Sequence, residues 1–213
     1  MSRKARRNNM HRPARQRDPG RKERILVASA ELVAERGFHG VGMVEIGARA
    51  GLVGSGIYRH FPSKEAILVA LLDRVMRRLS EGAAAIISTA LNDAEALSSL
   101  IDDHIRVAIE DRAVLAVYHR EGHSVPLDEQ RRMRRAQRHY VEEWVHVLGH
   151  LRPDLADGEL RVTVHAAIGA IQSTLFFRSG FPESRLSELL RACAYGCLGV
   201  APVKRVNSES QKH

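Results

Sequence analysis

The chain has 213 residues and a formal net charge of +8, and 44% of its residues are hydrophobic. This apolar content supports a folded core and excludes disorder over most of the chain. No apolar run approaches the roughly 18 residues that cross a bilayer, and the basic N-terminus lacks the apolar stretch of a secretory signal. We therefore expect a cytoplasmic protein with no membrane partner.

All of the excess charge lies in the first 24 residues. This segment holds ten basic and two acidic residues, whereas the remainder holds 23 of each. Residues 1–19 have little apolar content and contain Pro13 and Pro19, so we predict a basic flexible arm. Such an arm can bind the phosphates of DNA or simply keep the protein in solution, and charge alone does not separate these two roles.

Apolar residues then recur at helical spacing, and no segment alternates as a strand does. The pattern predicts an all-α fold. A first helix ends at Gly37, two short helices over 43–50 and 54–61 flank Gly51, and a longer helix capped by Ser63 extends to about residue 81. Further helices are predicted over 94–111, 112–121, 127–151, 157–175 and 183–198. We divide the chain into the arm (1–19), a three-helix DNA-binding domain (20–62), a helical ligand-binding and dimerisation domain (63–200) and a flexible tail (201–213).

Two short helices around a glycine-containing turn are typical of a helix-turn-helix, whose second helix enters the major groove of DNA. Small and apolar residues can form the core between the two helices: Ile46, Ala50, Leu52 and Ile57. Polar side chains and bare backbone then lie on the outer face. The candidate DNA contacts are Gly42, Ser55, Gly56, Tyr58, Arg59, His60 and Lys64.

The residues from Glu45 to Leu52, followed by the string from Ile57 to Glu65 that reads IYRHFPSKE, resemble the DNA-binding domain of TetR-family transcriptional regulators. The resemblance covers about residues 22–68. It implies phosphate contacts from Tyr58 and Lys64, a double-stranded DNA operator and a small-molecule effector. The sequence departs from the usual family pattern at Val41–Gly42, where a threonine is common, at Gly47 and at Val53.

Several other clusters admit a structural or a chemical role. The glycines near residues 37–56 lack the preceding strand and following Gly-Lys-Ser/Thr of a nucleotide loop. The pairs His119/His123 and His146/His150 have no neighbouring ligand pattern, which favours surface histidines over a metal site. Cys193 and Cys197 are expected to be buried small hydrophobes. No cofactor, metal site or catalytic set is expected, so we do not expect an enzyme.

The helix over 127–151 combines dense arginines with aromatic residues. These arginines can form ion pairs with Glu129, Glu142 or neighbouring helices, or can attract an anionic ligand to an apolar pocket. Acyl-CoA thioesters, which some TetR-like regulators of lipid metabolism sense, would suit that pocket. The candidate ligand contacts are Tyr118, Arg134, Arg135, Arg138, Tyr140, Trp144 and Phe176.

The sequence therefore favours a homodimeric DNA-binding repressor that a small ligand releases from a palindromic operator. The expected dimer contacts lie on the last two helices: Ile168, Ile171, Leu175, Leu189, Leu190 and Cys193. A helical enzyme with a basic arm is disfavoured by the helix-turn-helix. A protein that coats nucleic acid without sequence preference stays open until selectivity is measured.

Overall fold

The computed structural model describes residues 20–202, which form eight α-helices and three short 3-10 helices with no strand in that range. The α-helices are α1 (Arg21–Arg36), α2 (Met43–Arg49), α3 (Lys64–Thr89), α4 (Asp93–Glu110), α5 (Arg112–Glu121), α6 (Leu127–Leu151), α7 (Asp157–Gln172) and α8 (Glu183–Leu198). The all-α prediction is confirmed. The predicted arm and nearly all of the predicted tail lie outside the described residues.

Local signals in the sequence account for several of the helix ends. The Ser63 side chain accepts a hydrogen bond from the Ala66 amide at 3.2 Å and so caps the start of α3. Asn92 does the same for α4 through the Glu95 amide at 2.9 Å. At the C-terminal end of α8, Gly199 adopts the left-handed conformation, which residues with side chains disfavour.

The helices surround one continuous apolar core, to which every α-helix contributes. Fully buried members include Ile25, Ile46, Ile67, Leu97, Val114, Trp144, Ile171 and Leu198. The apolar residues that recur at helical spacing in α1 and α3 are buried: Ile25, Leu26, Leu32 and Val33 on α1, and Ile67, Leu68, Leu71, Leu72, Val75 and Leu79 on α3. Helix α7 packs along α8, and α4 lies between this pair and α3.

Two predicted elements differ in shape. Helix α3 continues to Thr89 rather than ending near residue 81. Gly82 does not stop it, because the small apolar residues that follow still pack, and Ala83 is fully buried. The second helix of the helix-turn-helix is a short 3-10 helix over Gly54–Arg59, which we call the recognition helix. Its three leading residues include two glycines, which have low helix propensity.

For α8 the expectation for the two cysteines is wrong. The buried stripe is Leu190, Ala194 and Leu198, at a spacing of four residues, with Leu186 half-buried. Cys193 and Cys197 lie beside that stripe and are exposed, which corrects the expectation that they are buried. Four of the predicted dimer contacts are instead buried within their own chain: Ile168, Ile171, Leu175 and Leu190.

Candidate functional site

Helix α2 and the recognition helix meet across a small apolar core, as the sequence predicted. Ile46 and Ile57 are fully buried and Ala50 nearly so. A Cβ atom added to Gly47 would lie 3.4 Å from the Ile57 Cβ, which is about an ordinary van der Waals contact. Gly51 turns the chain between the helices with φ +73. Gly47 is buried where α2 faces the Ile57 side chain, and its cost is a lower helix propensity.

Several members of the predicted DNA-binding set are exposed. Ser55, Tyr58 and Arg59 are exposed on the recognition helix, and Gly42 is exposed at the start of α2. Gly42 makes no side-chain cap there, since glycine has none to offer. His60 is half-buried.

Two members of the predicted set face inward in this structure. Gly56 is buried, and a Cβ atom added to it would lie 3.8 Å from the Leu52 Cβ. The Lys64 ammonium donates hydrogen bonds to the carbonyl oxygens of Phe38 at 2.8 Å and Val41 at 3.1 Å. It also lies 4.5 Å from the centroid of the Phe38 ring. Lys64 thus fastens the loop between α1 and α2 to the start of α3, a role that sequence spacing did not reveal.

Charged contacts fix the helix-turn-helix on the rest of the protein. Arg49 lies within 3.4 Å of Glu31 and 3.3 Å of Glu35, which ties α2 to α1. Arg36 pairs with Glu45 across the same two helices. Near the start of α1, Glu23 accepts a hydrogen bond of 2.9 Å from the Arg74 guanidinium of α3. These contacts hold α2 on α1 and α1 on α3, and the recognition helix in turn packs against α2.

The predicted ligand residues fall into three separate environments. Tyr118 lines a cavity of about 20 Å³ between α3, α5 and α6, beside Met76, Met133 and Gln137. Tyr140 and Trp144 are buried in the core, and Phe176 is exposed and stacks edge-on against His119, with the ring centroids 5.4 Å apart. The structure does not bring these four side chains around one open cavity. A larger cavity, of about 300 Å³, lies between the ends of α4, α6 and α8 and contains none of them.

The arginines at the start of α6 lie on its exposed side. Arg132 pairs with Asp73 of α3 at 2.7 Å and with Glu129 at 2.6 Å, which is the ion-pairing role left open by the sequence. Arg134 donates to the Gln130 side chain at 3.3 Å. Within residues 20–202, Arg135 and Arg138 are exposed and form no ion pair. These two guanidinium groups are available to an anion.

A polar group that the sequence analysis missed sits in the middle of the core. His104 of α4 and Tyr140 of α6 are buried, and the His104 Nδ1 atom lies 2.9 Å from the Tyr140 hydroxyl. The His104 Nε2 atom lies 3.4 Å from the Gln172 amide nitrogen of α7. Burial lowers the pKa of His104 to about 4 and raises the pKa of Tyr140. Both rings are therefore neutral near pH 7, and the cluster joins three helices.

The side chains of the His146/His150 pair contact each other and a neighbouring carboxylate. The His146 and His150 rings meet edge-on with their centroids 4.7 Å apart, and His150 lies 3.2 Å from an Asp93 carboxylate oxygen. No cluster of three metal-ligating side chains occurs between residues 20 and 202. Over the same range, no helix combines the length and the apolar character that crossing a membrane requires.

Comparison with known proteins supports the resemblance. Residues 25–71 match the family model of bacterial regulatory proteins of the tetR family. The transcriptional activator FasR of Mycolicibacterium smegmatis is 32% identical over 82 residues, which cover 38% of this chain and 37% of FasR. The chain therefore matches well under half the length of that relative.

Solved structures share the fold over most of the chain. The TetR-family regulator PfmR from Thermus thermophilus superposes with a TM-score of 0.71 at 20% identity, covering 85% of this chain and all of PfmR. The structure of AibR in complex with isovaleryl coenzyme A and operator DNA gives a TM-score of 0.67 at 18% identity. It covers 81% of this chain and 96% of AibR.

Lys64 is expected to contribute to the stability of the fold and Tyr58 to DNA affinity, and these two roles can be tested separately. Replacing Lys64 by Met keeps the aliphatic stem but leaves two carbonyl oxygens without their donor, so we expect a loss of about 2 kcal/mol in the free energy of unfolding in urea. Tyr58→Ala, at an exposed position, should change it by less than about 0.5 kcal/mol and act on DNA affinity instead. Equal unfolding free energies for the Lys64→Met variant and the parent protein would contradict this role for Lys64.

The neutral state of His104 predicts a pH dependence of stability. Because the folded pKa is about 4 and the unfolded value is near 6.5, only the unfolded chain gains a proton between these values. Stability should fall as pH drops from about 6.5 to 4, by about 3 kcal/mol from this group, and the fall should shrink in His104→Gln. Urea unfolding at several pH values measures it, with the exposed His139→Gln as the matched control. An unchanged pH slope in His104→Gln would show that His104 is not the group responsible.

Proposed function

We propose that this chain, which belongs to the TetR family of bacterial transcriptional regulators, binds a palindromic operator as a homodimer and represses transcription until a small effector releases it. The observation that carries the proposal is the recognition helix itself, which leaves Ser55, Tyr58 and Arg59 exposed, with Gly42 also exposed at the start of α2. The division at residues 62–63 into DNA-binding and effector-binding parts belongs to the same proposal. So does a cytoplasmic location.

A single recognition helix buries too little surface for tight and selective binding, so a second copy has to contribute. The surface we assign to dimerisation is the outward face of α7 and α8, called here the α7–α8 face. It is defined by Val162, His165, Ala166 and Gly169 on α7 and by Leu189, Ala192, Cys193 and Gly196 on α8. Several of these residues are small, which lets the helices of two subunits approach closely.

A charge placed in the α7–α8 face should disrupt the dimer. Ala166→Glu and Ala192→Arg each bury an unpaired charge in the proposed interface, so we expect monomers in sedimentation at micromolar concentration and operator affinity lowered by at least about tenfold. Ala84→Arg, at an exposed alanine on α3, is the matched control and should remain dimeric. A parent protein that sediments as a monomer and still binds its operator tightly would refute the proposal.

Operator selectivity separates a regulator from a protein that coats nucleic acid. Selection of bound DNA from a random pool should recover an imperfect palindrome, and a transcription assay with that operator should show repression. Activation is the second candidate, because FasR is named an activator. Recovery of no preferred sequence from the pool would contradict the regulator proposal itself.

The basic arm can be tested separately. Deleting residues 1–19 should flatten the slope of log affinity against log salt, since fewer phosphates are neutralised. An unchanged slope would show that the arm does not bind DNA.

For the effector we propose an amphipathic anion such as an acyl-CoA thioester. Arg134, Arg135 and Arg138 would attract the charged end, while the apolar end would enter at Tyr118 and extend into the core toward Tyr140 and Trp144. Support comes from the exposed arginines on α6 and from AibR, whose structure holds isovaleryl coenzyme A. Because the cavity at Tyr118 is small, binding has to separate α6 from α3 and α5, and this separation would tilt α3.

The effector proposal predicts competition with DNA at a distance. Titrating acyl-CoA thioesters of several chain lengths into the operator complex should release DNA, with a typical coupling of about 5- to 150-fold in affinity, and operator should weaken acyl-CoA binding by the same factor. Matching uncharged lipids are the control. If thioesters release DNA equally well from the parent and from a variant with Arg134, Arg135 and Arg138 changed to Ala, the arginines do not bind the effector.

A further inference from the structure

Val53 is the most exposed large apolar side chain of residues 20–202. It is 93% exposed and stands immediately before the recognition helix, where its extended backbone, with φ −94 and ψ 132, directs it away from the core. The neighbouring Leu52 is half-buried against the helix-turn-helix. This exposure leaves the apolar surface of Val53 in water. Transfer of that surface from water to contact with a partner would be favourable.

Few other side chains are exposed between the turn at Gly51 and Tyr58, a segment that we call the leading edge. Gly54 and Gly56 offer none, and Ile57 is fully buried in the core. The leading edge between the turn and Tyr58 therefore presents two side chains, Val53 and Ser55. Of these, only Ser55 can form a hydrogen bond with a base.

The chemistry of Val53 limits what it can recognise. A valine side chain neither donates nor accepts hydrogen bonds, so it cannot read the polar edges of the bases. The major groove presents one apolar group that identifies a base, the C5-methyl group of thymine. Because a recognition helix presents its N-terminal residues to the base edges, Val53 is positioned to reach that group.

We infer that Val53 contacts a thymine methyl group in each half-site of the operator and thereby selects an A·T pair at that position. The inference rests on the proposed operator binding, and it names the base that one residue selects. Tyr58 and the basic residues would add affinity without selecting this base, because phosphate contacts carry no sequence information.

The experiment removes the methyl group and nothing else. The operator recovered from a random pool is resynthesised with uracil in place of each thymine, one position at a time, and affinity is measured with the full-length dimer. Loss of one buried methyl group should weaken the parent about fourfold at one position in a half-site, and about fifteenfold when both half-sites are changed. Uracil at the other thymines should have little effect.

The residue is identified by repeating the series with variants. Val53→Ala should bind thymine and uracil operators equally well, while its salt dependence stays that of the parent. Val44→Ala, at an exposed valine on α2, is the matched control and should keep the full sensitivity to uracil.

Three results would overturn the inference. They are an operator insensitive to uracil at every position, sensitivity that persists in Val53→Ala, and sensitivity that disappears in Val44→Ala instead. Each of these leaves operator binding intact and so spares the proposed function. Recovery of no preferred sequence from the pool would overturn the proposed function and this inference together.

Discussion

The rest of the structure depends on the packing of helix α3. It contacts the helix-turn-helix at its start and packs against α4, α5 and α6 along its length. Its 26 residues span about 39 Å. At its start, Lys64 fastens the α1–α2 loop through two carbonyl oxygens, and Phe61 and Ile67 join the core of the helix-turn-helix. Since an α-helix bends little over this length, a displacement at one end is carried to the other.

The corner between α4 and α5 connects α3 to the α7–α8 pair through two adjacent residues. Asp111 accepts a hydrogen bond from Arg78 of α3 at 3.0 Å and lies 3.9 Å from Arg74. Its neighbour Arg112 donates to the carbonyl oxygens of Thr174 at 2.7 Å and Phe177 at 3.2 Å, just beyond the end of α7. A change in how α7 is held therefore reaches α3 through one short stretch of backbone. In the proposed dimer, this stretch would join the subunit interface to the recognition helix.

The sequence predicted the elements that local chemistry controls. The bounds of α6 and α8, the cap at Ser63 and the glycine turn at Gly51 follow from apolar spacing and from the special chemistry of these residues. It did not predict which of two adjacent stripes on α8 would be buried, because leucines and cysteines make both stripes apolar. It also missed the inward hydrogen bonds of Lys64 and the His104–Tyr140 pair, since these join residues 23 to 36 positions apart whose proximity only the tertiary fold creates.

The rigid connection through α3 can be measured as a distance between the two subunits. A nitroxide label at Ala34→Cys, with Cys193 and Cys197 changed to Ser, places one probe on α1 of each chain for pulsed electron paramagnetic resonance. With operator bound, we expect one narrow inter-chain distance, which Asp111→Asn should broaden by loosening α3, whereas Asp154→Asn, at an exposed ion pair on another part of the surface, should leave it unchanged. A distance distribution that is the same in Asp111→Asn and the parent, or the absence of any inter-chain distance, would contradict this account.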